Sequence, residues 1–216
     1  MGMQGSLLKS TGADGEHCSS RKLRQTARIC GICLGIVVFD LVFGTAWHEF
    51  MGHGLCAIAF GAKITYLEVM GFQLYPDFCW VGPTPYFGRC LDSGVNSEIQ
   101  RAWVLLCGSL STWIAGVVGV ILLYTFRWRG WSRILMIALG TWWLDLLLYT
   151  LPSLGIPRYF FWGHYHSEPY KAAVALGVPG PVFQGLVVLT SFILAAALAG
   201  RIWTRERGEF VRRKDL

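Results

Sequence analysis

The chain has 216 residues, of which 54% are hydrophobic, 14% aromatic and only 15% charged, with a mean hydropathy of +0.46 and a formal net charge of +6. An ordinary soluble domain, in which about a quarter of residues carry charge, is excluded by this composition. The chain reads as a polytopic membrane protein, and its basic residues cluster around apolar runs, so nucleic acid is not expected as a partner.

Residues 1–28 are polar, with Ser, Gly and scattered charge but no apolar core, and read as a disordered basic tail. Met1-Gly2 with Ser6 formally fits a myristoylation pattern, one short enough to arise by chance. No cleavable signal peptide is expected, because the first apolar run is too long. Apolar runs follow at about 29–60, 102–126, 132–151 and 180–203. Each is long enough to cross about 30 Å of hydrocarbon at about 1.5 Å per residue. The fold class is therefore an α-helical polytopic membrane protein of about four spans, embedded over 29–203, with a basic cytoplasmic tail at 204–216. The first run exceeds one crossing and is predicted to be steeply tilted, broken or partly re-entrant around its polar residues.

Those polar residues are His48, Glu49 and His53, in the segment HEFMGH, with Asp40 the only other formally charged residue between Ile29 and Phe60. Ionisable side chains in so apolar a segment are costly unless a metal, a partner or water stabilises them, which makes the cluster a candidate site. It approaches H-E-x-x-H, in which two histidines one helical turn apart hold zinc and the adjacent glutamate is the general base. One residue is in excess. On a regular α-helix, histidines five residues apart point about 140° apart around the axis, away from a common ion. A π-bulge, which adds one residue to a helix, would return i and i+5 to one face, and Gly52 makes the distortion easier. The spacing thus predicts a widened helix between Glu49 and His53 if the imidazoles share an ion. On an unbulged helix Glu49 pairs with His53, and the cluster is a buried polar group between spans.

Cys30 and Cys33 make one C-x-x-C at the start of the first run, with no second pair to complete a zinc site, and read as packing residues. Residues 63–90 alternate apolar with polar and carry Gly and Pro punctuation, which predicts a small β-hairpin element after the first span. A strand with an open edge beside a hydrolytic site could pair with an extended substrate backbone. Cys79 and Cys90 fall in this region, as a disulfide or as two free thiols.

Asp145 lies inside the third run, in TWWLDLLLYTLP, where a carboxylate has few structural explanations. It is the candidate third zinc ligand, since two histidines and one carboxylate leave a position for water. Asp40 suits a bond to a neighbouring helix or the interface. In GHYHSEPYKAAVALGVPGP, His164 and His166 read as solvated loop residues. Glu168 either caps the amphipathic stretch Pro169–Gly177, predicted to lie at the membrane surface, or enters the site. Fourteen of the 19 basic residues precede the first run, flank the short second connection (Arg127, Arg129, Arg133) or follow the last run. The positive-inside rule then predicts both termini in the cytoplasm. Trp128, Trp131 and Trp203 fall where an interfacial aromatic belt would lie.

From about residue 40 to 185 the arrangement resembles the site-2-protease family of intramembrane zinc metalloproteases. HEFMGHGLCAIAFGAKI is similar to that family's HExGHxxxA segment with its following turn and strand. GSLSTWIAGVV is similar to its Gly-containing second core helix, and Asp145 with Pro152 occupies the region where the family supplies its Asp ligand and nearby prolines. The resemblance implies a divergent bacterial-type relative in which His48, His53 and Asp145 hold zinc and Glu49 is the general base. It would hydrolyse a peptide bond of a membrane-protein or peptide substrate in or next to the lipid bilayer. The alternative is a catalytically inactive relative that serves as a membrane scaffold or binding protein. A bis-histidine haem on His48 and His53 is geometrically poor, because opposed ligands do not come from one helix five residues apart.

Overall fold

A computed structural model describes residues 11–84, 87–156 and 167–214, with side-chain surroundings over 23–84, 87–156 and 167–204. His164 and His166 therefore lie outside the described residues. The chain divides into two units, the first ending at Val38 and the second beginning at Phe39.

Helix α1 (Thr11–Phe39) makes up the described part of the first unit. The segment contains no proline and runs directly into the apolar stretch, so each residue extends an existing helix without a new nucleation cost. Cys30 and Cys33, read as packing residues, are exposed on it.

The second unit continues helically through a π-helical stretch Asp40–Gly44, α2 (Thr45–Trp47), a second π-helical stretch His48–Gly54, and α3 (Leu55–Ala59). A four-stranded antiparallel sheet follows, made of β1 (Lys63–Val69), β2 (Phe72–Tyr75), β3 (Cys79–Trp80) and β4 (Gly88–Ser93) in the order β3-β2-β1-β4. The β1–β2 turn is Met70-Gly71, both at positive φ (51° and 82°), the two-residue turn whose twist matches that of the strands. Cys79 and Cys90 sit on opposite edge strands, three strand spacings or about 14 Å apart. A disulfide needs Cα atoms within about 7 Å, so both thiols are free, as found.

Beyond the sheet come α4 (Glu98–Thr125), α5 (Gly130–Thr141), α6 (Leu144–Thr150), a 3₁₀ turn Leu151–Leu154, α7 (Glu168–Ala175) and α8 (Gly180–Lys214). Ser97 starts α4 with a capping box: its hydroxyl accepts from Gln100 N at 3.1 Å and its own N–H donates to Gln100 Oε1 at 3.4 Å. Among the described residues, four helical segments are long and apolar enough to cross a membrane: Leu23–Ala59, Glu98–Thr125, Gly130–Leu154 and Gly180–Thr204. Their outward faces carry exposed Val118, Ile121, Leu189 and Phe192, the surface that a bilayer covers.

The third segment is interrupted at Trp142-Trp143, and α4 approaches that break through glycines. A Cβ on Gly116 would fall 2.6 Å from Trp143 N, and one on Gly119 2.7 Å from Gly140 N, so only glycine lets the backbones come this close. Asp40 braces the same break from the first π-helical stretch, accepting hydrogen bonds from Thr141 Oγ1 at 2.7 Å and Trp142 Nε1 at 3.1 Å. Its expected bond to a neighbouring helix is found.

Candidate metal centre

The π-helical stretch His48–Gly54 absorbs the residue in excess of H-E-x-x-H and turns both imidazoles to one side. His48 Nε2 and His53 Nε2 are 3.1 Å apart, with the rings near perpendicular at 75°. Helix α4 approaches this stretch at glycines: a Cβ on Gly52 would fall 2.5 Å from Gly108 Cα, and one on Gly108 2.6 Å from both Nε2 atoms. Gly108 is thus the floor under the two rings. His48 and His53 are both buried, as is Glu49.

The outer nitrogens fix the tautomers. His53 Nδ1 donates to the backbone carbonyl of Val104 at 2.7 Å, and a carbonyl oxygen only accepts. His48 Nδ1 donates to Asp145 Oδ2 at 2.8 Å, and Thr112 Oγ1 donates to the same oxygen at 2.8 Å. Both Nε2 atoms are left as lone pairs aimed at each other, an arrangement that calls for a shared proton or a metal cation. The spacing suits a metal. Two zinc–nitrogen bonds of about 2.05 Å span a 3.1 Å gap at an angle of about 100°, close to tetrahedral.

The third donor comes from α7. Glu168 is its first residue, and Glu168 Oε2 lies 3.7 Å from His53 Nε2. Ligand atoms of His48, His53 and Glu168 all fall within 4.8 Å of one another. Ser167 Oγ holds the start of α7 by donating to Tyr149 O at 2.7 Å, and buried Ala172 and Ala173 seat the helix in the protein. The stretch is docked on the protein, with α7 packed on α4 and α6. Glu168 stands in the first turn of α7 and also lies beside His53. The Tyr149 ring stacks on His48, with centroids 5.0 Å apart at 22°.

Asp145 does not take the metal-facing position expected of it. It stands in the first turn of α6, just past the Trp142-Trp143 break, and reaches the Nδ1 edge of His48, away from the Nε2 lone pairs. A carboxylate on the outer nitrogen of a ligating histidine fixes its tautomer and raises its basicity. Glu49 follows His48 and lies under β4: a Cβ on Gly88 would fall 2.5 Å from Glu49 Cγ and 2.6 Å from Oε1. Beside it, outside the spans, burial pushes the Cys90 thiol up to about 12, with the negative charges of Glu49 and Asp92 adding.

The structure therefore brings His48, Glu49, His53, Asp145 and Glu168 together. Thr112, Val104, Gly108 and Gly88 escaped sequence reasoning, although Gly108 opens the GSLSTW segment. Fold and site define a helical membrane protein with two buried histidines and one half-buried carboxylate placed so that they could hold a metal ion. No protein-family model, curated protein or solved structure matches the chain.

Proposed function

We propose that the protein is an intramembrane zinc metallopeptidase, a divergent relative of the site-2 proteases, with His48, His53 and Glu168 as ligands. One observation carries this reading: two Nε2 lone pairs converge at 3.1 Å while both outer nitrogens are held by acceptors. Two imidazoles and a carboxylate are a donor set that suits zinc and leaves a fourth position open. When bound, zinc would lower the pKa of a water to near neutrality and polarise a carbonyl.

The chain's own residues supply the rest. Asp145, steadied by Thr112, keeps the His48 lone pair directed inward. Glu49, one residue from a ligand, accepts the proton of the attacking water and passes it to the leaving amine. The outer edge of β4 supports a peptide as substrate. It is an edge strand whose Gly88 touches Glu49, and an extended chain pairing with it would run past the general base.

The competing reading, an inactive scaffold or binding protein, is favoured by the burial of Glu49, which is 5% exposed. Metal content and turnover separate the two. Detergent-purified wild type should carry one equivalent of zinc, and His53→Ala none. Glu49→Gln should keep the zinc yet lose turnover about 10²–10⁴-fold, the usual cost of a missing general base. The substrate for that assay is sought among membrane proteins that accumulate in cells lacking the chain. If Glu49→Gln clears them as well as wild type does, the scaffold reading replaces the protease.

A further inference from the structure

A second feature lies at the opposite end of α4, away from the histidines. There the end of α4, the turn to α5, the start of α5 and the end of α8 meet. Leu123, Arg133, Ile137, Arg201 and Ile202 line one shallow cleft between the three helices, of about 10 Å³, so that a group larger than a water would sit at its mouth. Arg201 is held rigidly: its Nε donates to Leu123 O at 2.7 Å, and its guanidinium lies over the Tyr124 ring, 5.3 Å from the centroid. Tyr124 is itself fixed by donating to Ala197 O at 2.8 Å. This posture occupies the inner nitrogen of the fork and leaves the two outer ones without a protein partner among the described residues. Arg133, on α5, makes no hydrogen bond or ion pair among them either.

Two guanidinium groups lining one apolar-walled cleft repel each other, and among the described residues no carboxylate pairs with either. No Asp or Glu occurs between Glu98 and Asp145, or between Glu168 and Glu206. Arg127 and Arg129 add further positive charge in the adjoining turn. The same end carries exposed Phe126, Trp131 and Trp203, and Trp128 Nε1 is pinned to Leu122 O at 2.9 Å. Aromatic rings of this kind sit at the headgroup level of a bilayer. Arg201, pre-oriented by its bond to Leu123 O, and Arg133 beside the same cleft offer donors that match phosphate oxygens, and Leu123, Ile137 and Ile202 offer an acyl chain a wall.

We propose that the mouth of this cleft binds the headgroup phosphate of an anionic phospholipid through Arg133 and Arg201. Basic pockets between membrane helices recognise anionic headgroups in this manner. The site is independent of the metal centre, and its occupant would tie α8 to α5.

Native mass spectrometry of the full chain in detergent, with phosphatidylglycerol or phosphatidylcholine added, tests the assignment. Wild type should retain phosphatidylglycerol preferentially. Arg133→Gln and Arg201→Gln should each weaken that retention about fivefold, the worth of one arginine near an anionic surface. Arg129→Gln, which removes an equal charge outside the cleft, should weaken it clearly less than either of these variants. If Arg201→Gln does not fold, Arg133→Gln decides alone, because Arg133 has no protein bond to lose. Equal retention of the two lipids would overturn the proposal, and so would an Arg129→Gln effect as large as that of Arg133→Gln, the mark of a diffuse basic surface. Displacement of the lipid by excess inorganic phosphate would make a free phosphate the ligand and overturn the lipid assignment.

Discussion

Gly108→Ala places a single methyl group under the two histidines, and its cost can be worked from distances. The new Cβ would stand 2.6 Å from His48 Nε2 and from His53 Nε2, whereas ordinary contact begins near 3.4 Å. Each ring, or the α4 backbone beneath, must give way by about 0.8 Å, four times the roughly 0.2 Å by which metal–ligand distances vary. Metal affinity should fall by more than the roughly 10–100-fold that accompanies loss of a partner behind a ligand. Stability moves less, because overpacking of about 1–3 kcal/mol is partly offset by about 1 kcal/mol of helix propensity gained in replacing glycine. Zinc titration of the purified variant, followed by metal analysis, measures the first effect, and thermal unfolding of the metal-free protein the second. Gly35→Ala makes the same chemical change on α1 with nothing within 4 Å, and it should leave zinc binding untouched. A Gly108→Ala protein that binds zinc with wild-type affinity would refute the placement of the ion between the two Nε2 atoms.

Asp145→Asn should lower zinc affinity about 10–100-fold while leaving one equivalent bound at saturation, whereas Glu168→Gln should impair binding further by removing a ligand; equal titration curves would mean that the two carboxylates share one role. Iodoacetamide at pH 8 should label exposed Cys79 and spare Cys90, since roughly one Cys90 thiol in ten thousand is ionised there if its pKa is about 12, and peptide mass spectrometry reads the difference. That raised value also sets a direction for stability. The neutral thiol is favoured in the folded protein, so stability should decline as pH climbs past about 8.5, where the unfolded thiol begins to ionise. Reporter fusions at either terminus and near Arg129 should all register cytoplasm; a C-terminus on the far side would show that one apolar segment does not cross.

The four spans were legible because hydropathy is additive along the chain and needs no knowledge of neighbours. The widened helix was legible for a different reason: His48 and His53 are separated by a distance in sequence that a regular helix cannot reconcile with one ion. Asp145 shows the limit. An acid within an apolar run announces that it matters, but which nitrogen of His48 it reaches depends on the Trp142-Trp143 break, and that break is set by glycine contacts with α4. Glu168 needed the docking of α7 through Ser167 and two buried alanines, a contact spanning 18 residues of chain that no local pattern encodes.

The widened turn at His48–Gly54 also bears on how such a site can come and go in evolution. An inserted residue on a regular helix rotates everything after it by about 100°, which here would swing Gly54 away from β1 and tear the floor at Gly108 from the rings. Held as a bulge, the insertion is confined to one turn, and the helix on either side keeps its phase. Losing Met51 would leave H-E-x-G-H on an ordinary helix with the flanking contacts undisturbed. A single codon thus separates the two forms.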